Sequence, residues 1–215
     1  MRWNQMTAKT LRSFALASLL GASVGLSAIP TASATTFNFG PLAPGLLGDT
    51  QAYTVDGITL TAAGFNNTAA LAVGTPNTAL FGKNLGGDES GLGLASGTDQ
   101  EISGLALVRI AMAPGLTNVS FIMDSTTTPD AWTVSGSNSA TTGFVPLLSG
   151  TDELVSHPLP FFNFYTFTAT TGDVLLGSIS ATAVPGPIVG AGLPGLVAAC
   201  GGLLALARRR RRQVA

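Results

Sequence analysis

Apolar side chains along residues 35–183 fall in short runs, broken at roughly ten-residue intervals by Gly, Asn, Asp and Pro. Runs rich in Thr, Val, Ile and Phe between such breakers have the pattern of β-strands. They predict strands at Thr36–Phe39, Ala52–Val55, Ile58–Ala63, Ala79–Leu85, Leu105–Met112, Asn118–Met123, Ala131–Ser135, Phe144–Leu148, Phe161–Thr168 and Val174–Ala183. Asp56-Gly57, set between Val55 and Ile58, predicts a two-residue hairpin turn. Alternation of period two marks Phe162 and Phe164 beside Tyr165, and again Leu176, Ile179 and Ala181. No part of this region keeps an apolar helical period for three turns. The expected fold class is all-β, a jelly-roll-like β-sandwich. An outer-membrane barrel needs strands of about nine to eleven residues and aromatic girdles at both interfaces. The runs here are mostly shorter, and the chain holds only two Trp and two Tyr, so the sandwich is favoured.

The two ends break this pattern. At the front, Arg2, Lys9 and Arg12 precede an apolar stretch from Phe14 to Ile29 and an A-x-A site at Ala32-Ser33-Ala34. That order predicts a signal peptide, residues 1–34, cleaved after Ala34. At the back, Val184-Pro185-Gly186-Pro187 is followed by twenty uncharged residues, Ile188 to Ala207, and then Arg208, Arg209, Arg210, Arg211 and Arg212. Twenty residues of helix cover about 30 Å, the hydrocarbon thickness of a bilayer. One C-terminal transmembrane helix is therefore expected over 188–207. Basic residues flanking a span stay in the cytoplasm, which makes 208–212 a stop-transfer signal and exports everything before Val184. Pro194-Gly195 and four further glycines dilute the span and make it a marginal anchor.

A proline motif, a span and an arginine cluster closing a signal-peptide protein resemble the PEP-CTERM sorting signal. The likeness covers Val184 to Arg212 and departs at Gly186, where the family carries a glutamate. The resemblance implies processing by a membrane-embedded exosortase-type transpeptidase in a Gram-negative bacterium that makes exopolysaccharide. It implies a transient single-pass precursor in the inner membrane, then delivery to the cell surface or extracellular matrix. An ice-binding protein C-terminal label is sometimes given to the same tail; it describes the sorting segment and implies nothing about ice. More loosely, Phe81 to Leu94 with Asp99-Gln100-Glu101-Ile102, and later pieces at 132–138, 150–153 and 174–179, are similar to blocks in exported domains of this family.

Charge changes the picture of partners. The whole chain is near neutral at −1, yet all eleven acidic residues lie in 35–183, opposed there only by Lys83 and Arg109. The domain by itself therefore carries −9. Phosphate binding needs basic surface, so nucleic acid is disfavoured as a partner. The one cysteine, Cys200, sits in the predicted span, which leaves the domain neither disulfides nor thiolate metal ligands.

Candidate chemistry is sparse. Asp88, Glu89, Asp99 and Glu101 lie close together in a glycine-rich segment and are candidate calcium ligands, since calcium takes six to eight oxygens from such loops. Their spacing is not that of an EF-hand, and a solvated acidic loop is the plain alternative. His157 is the only histidine, so any histidine-based triad or metal site must use it. Two carboxylates in a cleft suffice for glycoside hydrolysis, which keeps a carbohydrate-active enzyme as the alternative to a non-catalytic protein. For a glycan-binding module, Trp132 and Tyr165 are the candidate stacking rings, with core packing as the competing role. The favoured expectation is an exported, non-catalytic surface or matrix protein associated with exopolysaccharide.

Overall fold

Asp56 and Gly57 have φ of 51° and 77°, and Val55 pairs with Ile58 across them. Two consecutive left-handed residues are what a type I′ hairpin turn requires. This turn joins two of the fourteen strands of the computed structural model, which describes residues 32–66, 74–87, 89–125, 129–184 and 200–204. In chain order the strands are β1 (Ala34–Asn38), β2 (Gly45–Gly48), β3 (Thr50–Val55), β4 (Ile58–Phe65), β5 (Leu80–Asn84), β6 (Ser90–Leu94) and β7 (Ile102–Ser103). They continue as β8 (Leu107–Ala111), β9 (Leu116–Asp124), β10 (Ala131–Ser137), β11 (Val145–Gly150), β12 (His157–Leu159), β13 (Phe164–Thr171) and β14 (Asp173–Ala183). All ladders are antiparallel, so the all-β expectation holds.

One sheet runs β12-β9-β14-β6-β5-β2, with β1 and β7 also on β14; the other runs β11-β10-β13-β8-β4-β3. From β8 onward the chain passes repeatedly between them. The sheets share one apolar core. Phe121 of β9 stands edge-on to Trp132 of β10 at 5.2 Å and to Phe167 of β13 at 5.4 Å. Leu92, Leu94, Leu176 and Ile179 meet Leu60, Val108, Ile110 and Val134 in the same cluster, all at most 1 % exposed. Burying such side chains contributes about 1.5–3 kcal/mol each, which is how a chain segment without disulfides holds its layers together.

Four strands escaped the sequence pattern, each for a local reason. β2 is Gly-Leu-Leu-Gly and β6 is Ser-Gly-Leu-Gly-Leu, so glycine hides their alternation. β7 has only two residues, and β12 carries Pro158, tolerated because β12 lies at the sheet edge and pairs with β9 alone. The strand expected at 161–168 begins at Phe164 instead. Tyr165 explains the delay: its hydroxyl donates to Pro160 O at 2.7 Å and accepts from Phe162 N–H at 2.9 Å, tying 160–162 into a turn.

On the far side of the six-stranded sheet, the Arg109 guanidinium lies 4.8 Å from the Phe65 ring and 5.8 Å from the Phe164 ring. Its Nη1 donates to Ala140 O at 2.6 Å. The expected transmembrane helix falls mostly outside the described residues; 200–204 are helical, and no described helix is long and apolar enough to cross a membrane.

Candidate functional site

The outer face of the eight-stranded sheet carries a buried charge cluster, built on glycines. In β6, Leu92 and Leu94 point into the core, so Gly91 and Gly93 present bare backbone to the opposite face. Gln100 and Glu101, in the segment from Gly97 to Ser103, lie directly on Gly93. A Cβ on Gly93 would stand 2.1 Å from Gln100 O, and one on Gly97 would stand 1.6 Å from Glu101 O. Asp99 and Gln100 take φ of 50° and 63° to make the turn. The flap closed by this turn carries Glu101 down onto the sheet, where β5 supplies Lys83 opposite Gly91. Gly93→Ala is expected to destabilise the domain by about 1–3 kcal/mol, since backbone rather than a flexible side chain must move. Urea unfolding of the variant checks this; an unchanged midpoint would mean that the flap does not rest on the glycine.

Lys83 Nζ contacts Glu101 Oε1 and Glu89 Oε2 together. The Lys83 and Glu101 side chains are 8 % and 4 % exposed, whereas that of Glu89 is 37 % exposed. Ser125 Oγ donates to Glu89 Oε1 at 3.2 Å. The second oxygen of Glu101, Oε2, is buried with no hydrogen-bond partner among the described residues. Such burial is expensive for an ion, and here one ammonium faces two carboxylates. The consequences separate the two acids. Burial pushes the Glu101 carboxyl above its ordinary value, against the pull of Lys83. Glu89 is held below its ordinary value, chiefly by its hydrogen bond to Lys83. For Lys83, burial works against the charge, but the bonds to Glu101 and Glu89 outweigh it and raise the ammonium.

Among the described residues, the candidate calcium ligands do not gather round an open site. Glu89 and Glu101 do converge, but on the ammonium of Lys83, which occupies the position between them that a cation would need. Asp99 is exposed at the flap's turn, and Asp88 lies outside the described residues. Among the described residues no group of three or more His, Cys, Asp or Glu is arranged to hold a metal ion. Lys83 is the residue the sequence pattern missed. Its signal was its rarity: it is the only lysine in 35–183, at the foot of a hairpin whose other arm starts beside Glu89.

The expected sugar-stacking rings are corrected. Trp132 and Tyr165 are both 0 % exposed, with no face open to a ligand. Strand alternation turns Trp132 inward, where its Nε1 donates to Asp152 O at 2.9 Å. His157 lies against the same ring, at 5.0 Å from Trp132 and 5.3 Å from Phe121. Its Nε2 is 3.0 Å from Asp152 Oδ2, without hydrogen-bond alignment. No serine or threonine hydroxyl bonds to this pair among the described residues, so a nucleophilic triad is not assembled here.

The processing points fall at the domain's edge. Ala34 is the first residue of β1 and pairs with Thr182, and Ala183 N–H donates to Ser33 O at 3.2 Å. Cleavage after Ala34 would therefore remove one rung of the ladder, which the signal-peptide boundary did not anticipate. Ala32 precedes the strand and is exposed. Val184 directly follows β14, 52 % exposed, with its N–H bonded to Gly115 O at 3.0 Å. Pro185, Gly186, Pro187 and Arg208 to Arg212 lie outside the described residues. No known protein family, curated protein or solved structure matches the chain.

Proposed function

We propose that this chain is an exported protein of the bacterial cell surface or extracellular matrix, sorted by an exosortase-type transpeptidase and without catalytic activity of its own. Its domain is proposed to be a jelly-roll β-sandwich. Support comes from the pairing order, β6-β14-β9-β12 in one layer and β8-β13-β10-β11 in the other, which nests early strands against late ones as two Greek keys do. The extra strands β2 to β5 extend both sheets at one side.

One observation carries the sorting proposal. The residue at the signal-peptide cut, Ala34, and the residue before the sorting motif, Ala183, lie on paired neighbouring strands. A precursor held by one bilayer at both ends must present both ends at one place, and this ladder does so. Both basic residues of the domain are engaged, Lys83 by two glutamates and Arg109 by two rings and a carbonyl. The released product would then be acidic with its cations covered. Association with exopolysaccharide is assigned to the polar strand faces, where hydroxyls pair across strands, as in Thr54 with Thr59 at 2.8 Å.

Co-expression of the full chain with an exosortase-type enzyme, followed by terminal mass mapping of the surface fraction, tests this. The expected product begins at Thr35, ends within 184–187 and lacks 208–212. Surface material that keeps all five arginines in the presence of the active enzyme overturns the proposal.

A further inference from the structure

The buried cluster on the sheet's outer face holds an amine and a carboxyl in contact, with a second acid touching the same nitrogen. We infer that Lys83 and Glu101 condense to an intramolecular amide, with Glu89 as the proton carrier. The cross-link would tie β5 to the flap that follows β6. It does not depend on where the protein is delivered.

Three features of the site fit the chemistry. Glu101 is the electrophile: its side chain is 4 % exposed, and its Oε2 has no hydrogen-bond partner among the described residues. A carboxyl group in such surroundings favours the protonated form, whose hydroxyl can leave as water. Glu89 is the base. It is 37 % exposed, oriented by the Ser125 hydroxyl at 3.2 Å, and remains ionised beside Lys83. Lastly, the flap covers the pair, because the bare face of Gly93 lets its backbone lie on the sheet and leaves the Lys83 and Glu101 side chains 8 % and 4 % exposed. Dryness favours the amide over its hydrolysis.

The step balances without an outside reagent. Glu89 accepts one proton from the Lys83 ammonium, freeing the lone pair on Nζ. Nζ attacks Cδ of protonated Glu101 and the carbon–nitrogen bond forms. Glu89 relays the proton from nitrogen to the Glu101 hydroxyl, the carbon–oxygen bond breaks, and water departs. The remaining nitrogen proton stays on the amide, and the proton first taken from the ammonium leaves to solvent from the exposed side of Glu89. No group is oxidised or reduced.

Trypsin provides a direct test, because Lys83 and Arg109 are the only cleavage sites between Arg12 and Arg208. The full-length chain, purified folded as judged by near-ultraviolet circular dichroism, is then denatured, digested and mass-analysed. The expected result is no cut after Lys83 and a peptide ending at Arg109 that is lighter by one water. Fragmentation should place that loss on the Lys83 and Glu101 side chains. A complete cut after Lys83 at full mass overturns the inference, as does a water loss that maps to Asp56-Gly57. Glu89→Gln should fold with the wild-type spectrum, regain the cut after Lys83 and return to full mass. If it stays cross-linked, Glu89 is not the proton carrier.

Discussion

Replacing Trp132 with alanine is expected to lower the unfolding free energy by about 3–5 kcal/mol, the range for removing a large aromatic from a core. The indole fills the space where the two sheets meet. It stands at 90° to Phe121 and covers Gly150, where a Cβ would stand only 2.5 Å from its Cζ2. Its N–H satisfies the carbonyl of Asp152, which holds the loop leading to β12. Removing it opens a cavity bordered by both layers and frees that loop. Urea denaturation followed by far-ultraviolet circular dichroism checks the magnitude; a loss under about 1 kcal/mol would show that the ring is not a core residue. Trp132→Phe should cost less, since an aromatic ring stays and what goes is the bond to Asp152 and the volume by which indole exceeds phenyl. One practical outcome concerns glycan binding: a binding defect in Trp132→Ala would report unfolding, because no face of this ring is exposed.

Lys83→Met should have a comparable effect through electrostatics. Breaking one side of a buried ion pair costs about 3–5 kcal/mol, because the partner is left charged and unpaired. Glu101 meets that condition, whereas the more exposed Glu89 contributes less. The pH dependence gives the effect a signature. In the variant no ammonium or cross-link can form, and burial alone keeps the Glu101 pKa above 4.5, its ordinary value. A carboxyl whose folded pKa is raised destabilises the fold while it is ionised, and the penalty disappears as pH falls through that pKa. The deficit of Lys83→Met should therefore be full at pH 7 and shrink toward about pH 4. Urea midpoints at the two pH values measure it. A deficit equal at both would show that the lost lysine acts through packing or the lost cross-link rather than through an orphaned charge. Adding Glu101→Leu to Lys83→Met should restore most of the stability at pH 7, since an apolar pair replaces an orphaned charge.

These two residues also mark what the chain made legible and what it hid. Trp132 lies in a run with clear alternation, so its strand was predicted; which face it took was not, because a one-residue shift of register exchanges inside for outside. Alternation recovered the long strands, and Asp56-Gly57 recovered the hairpin, because those signals are local. The cluster at Lys83 was hidden because its members come from a strand, a turn and a flap, brought together by register. Sequence proximity grouped Asp88, Glu89, Asp99 and Glu101 by charge. Folding kept Glu89 and Glu101, left Asp99 at the surface, and added a lysine of opposite sign. Glycines that read as loop in 90–94 were instead a strand made bare on one face so that the flap could rest on it.

The place of β14 has a consequence for the order in which the domain can form. It is the last strand among the described residues and lies inside its sheet, flanked by β9 on one side and by β1, β6 and β7 on the other. Thr36 and Ser180, hydrogen-bonded at 2.7 Å, are 144 positions apart in the chain. A chain emerging through a membrane from its amino end must therefore release nearly all of itself before this sheet can close. Such distant pairing folds slowly. On the proposed export route, β1 would lack the strand it pairs with until β14 emerged, and completion of the fold would wait on completion of transit.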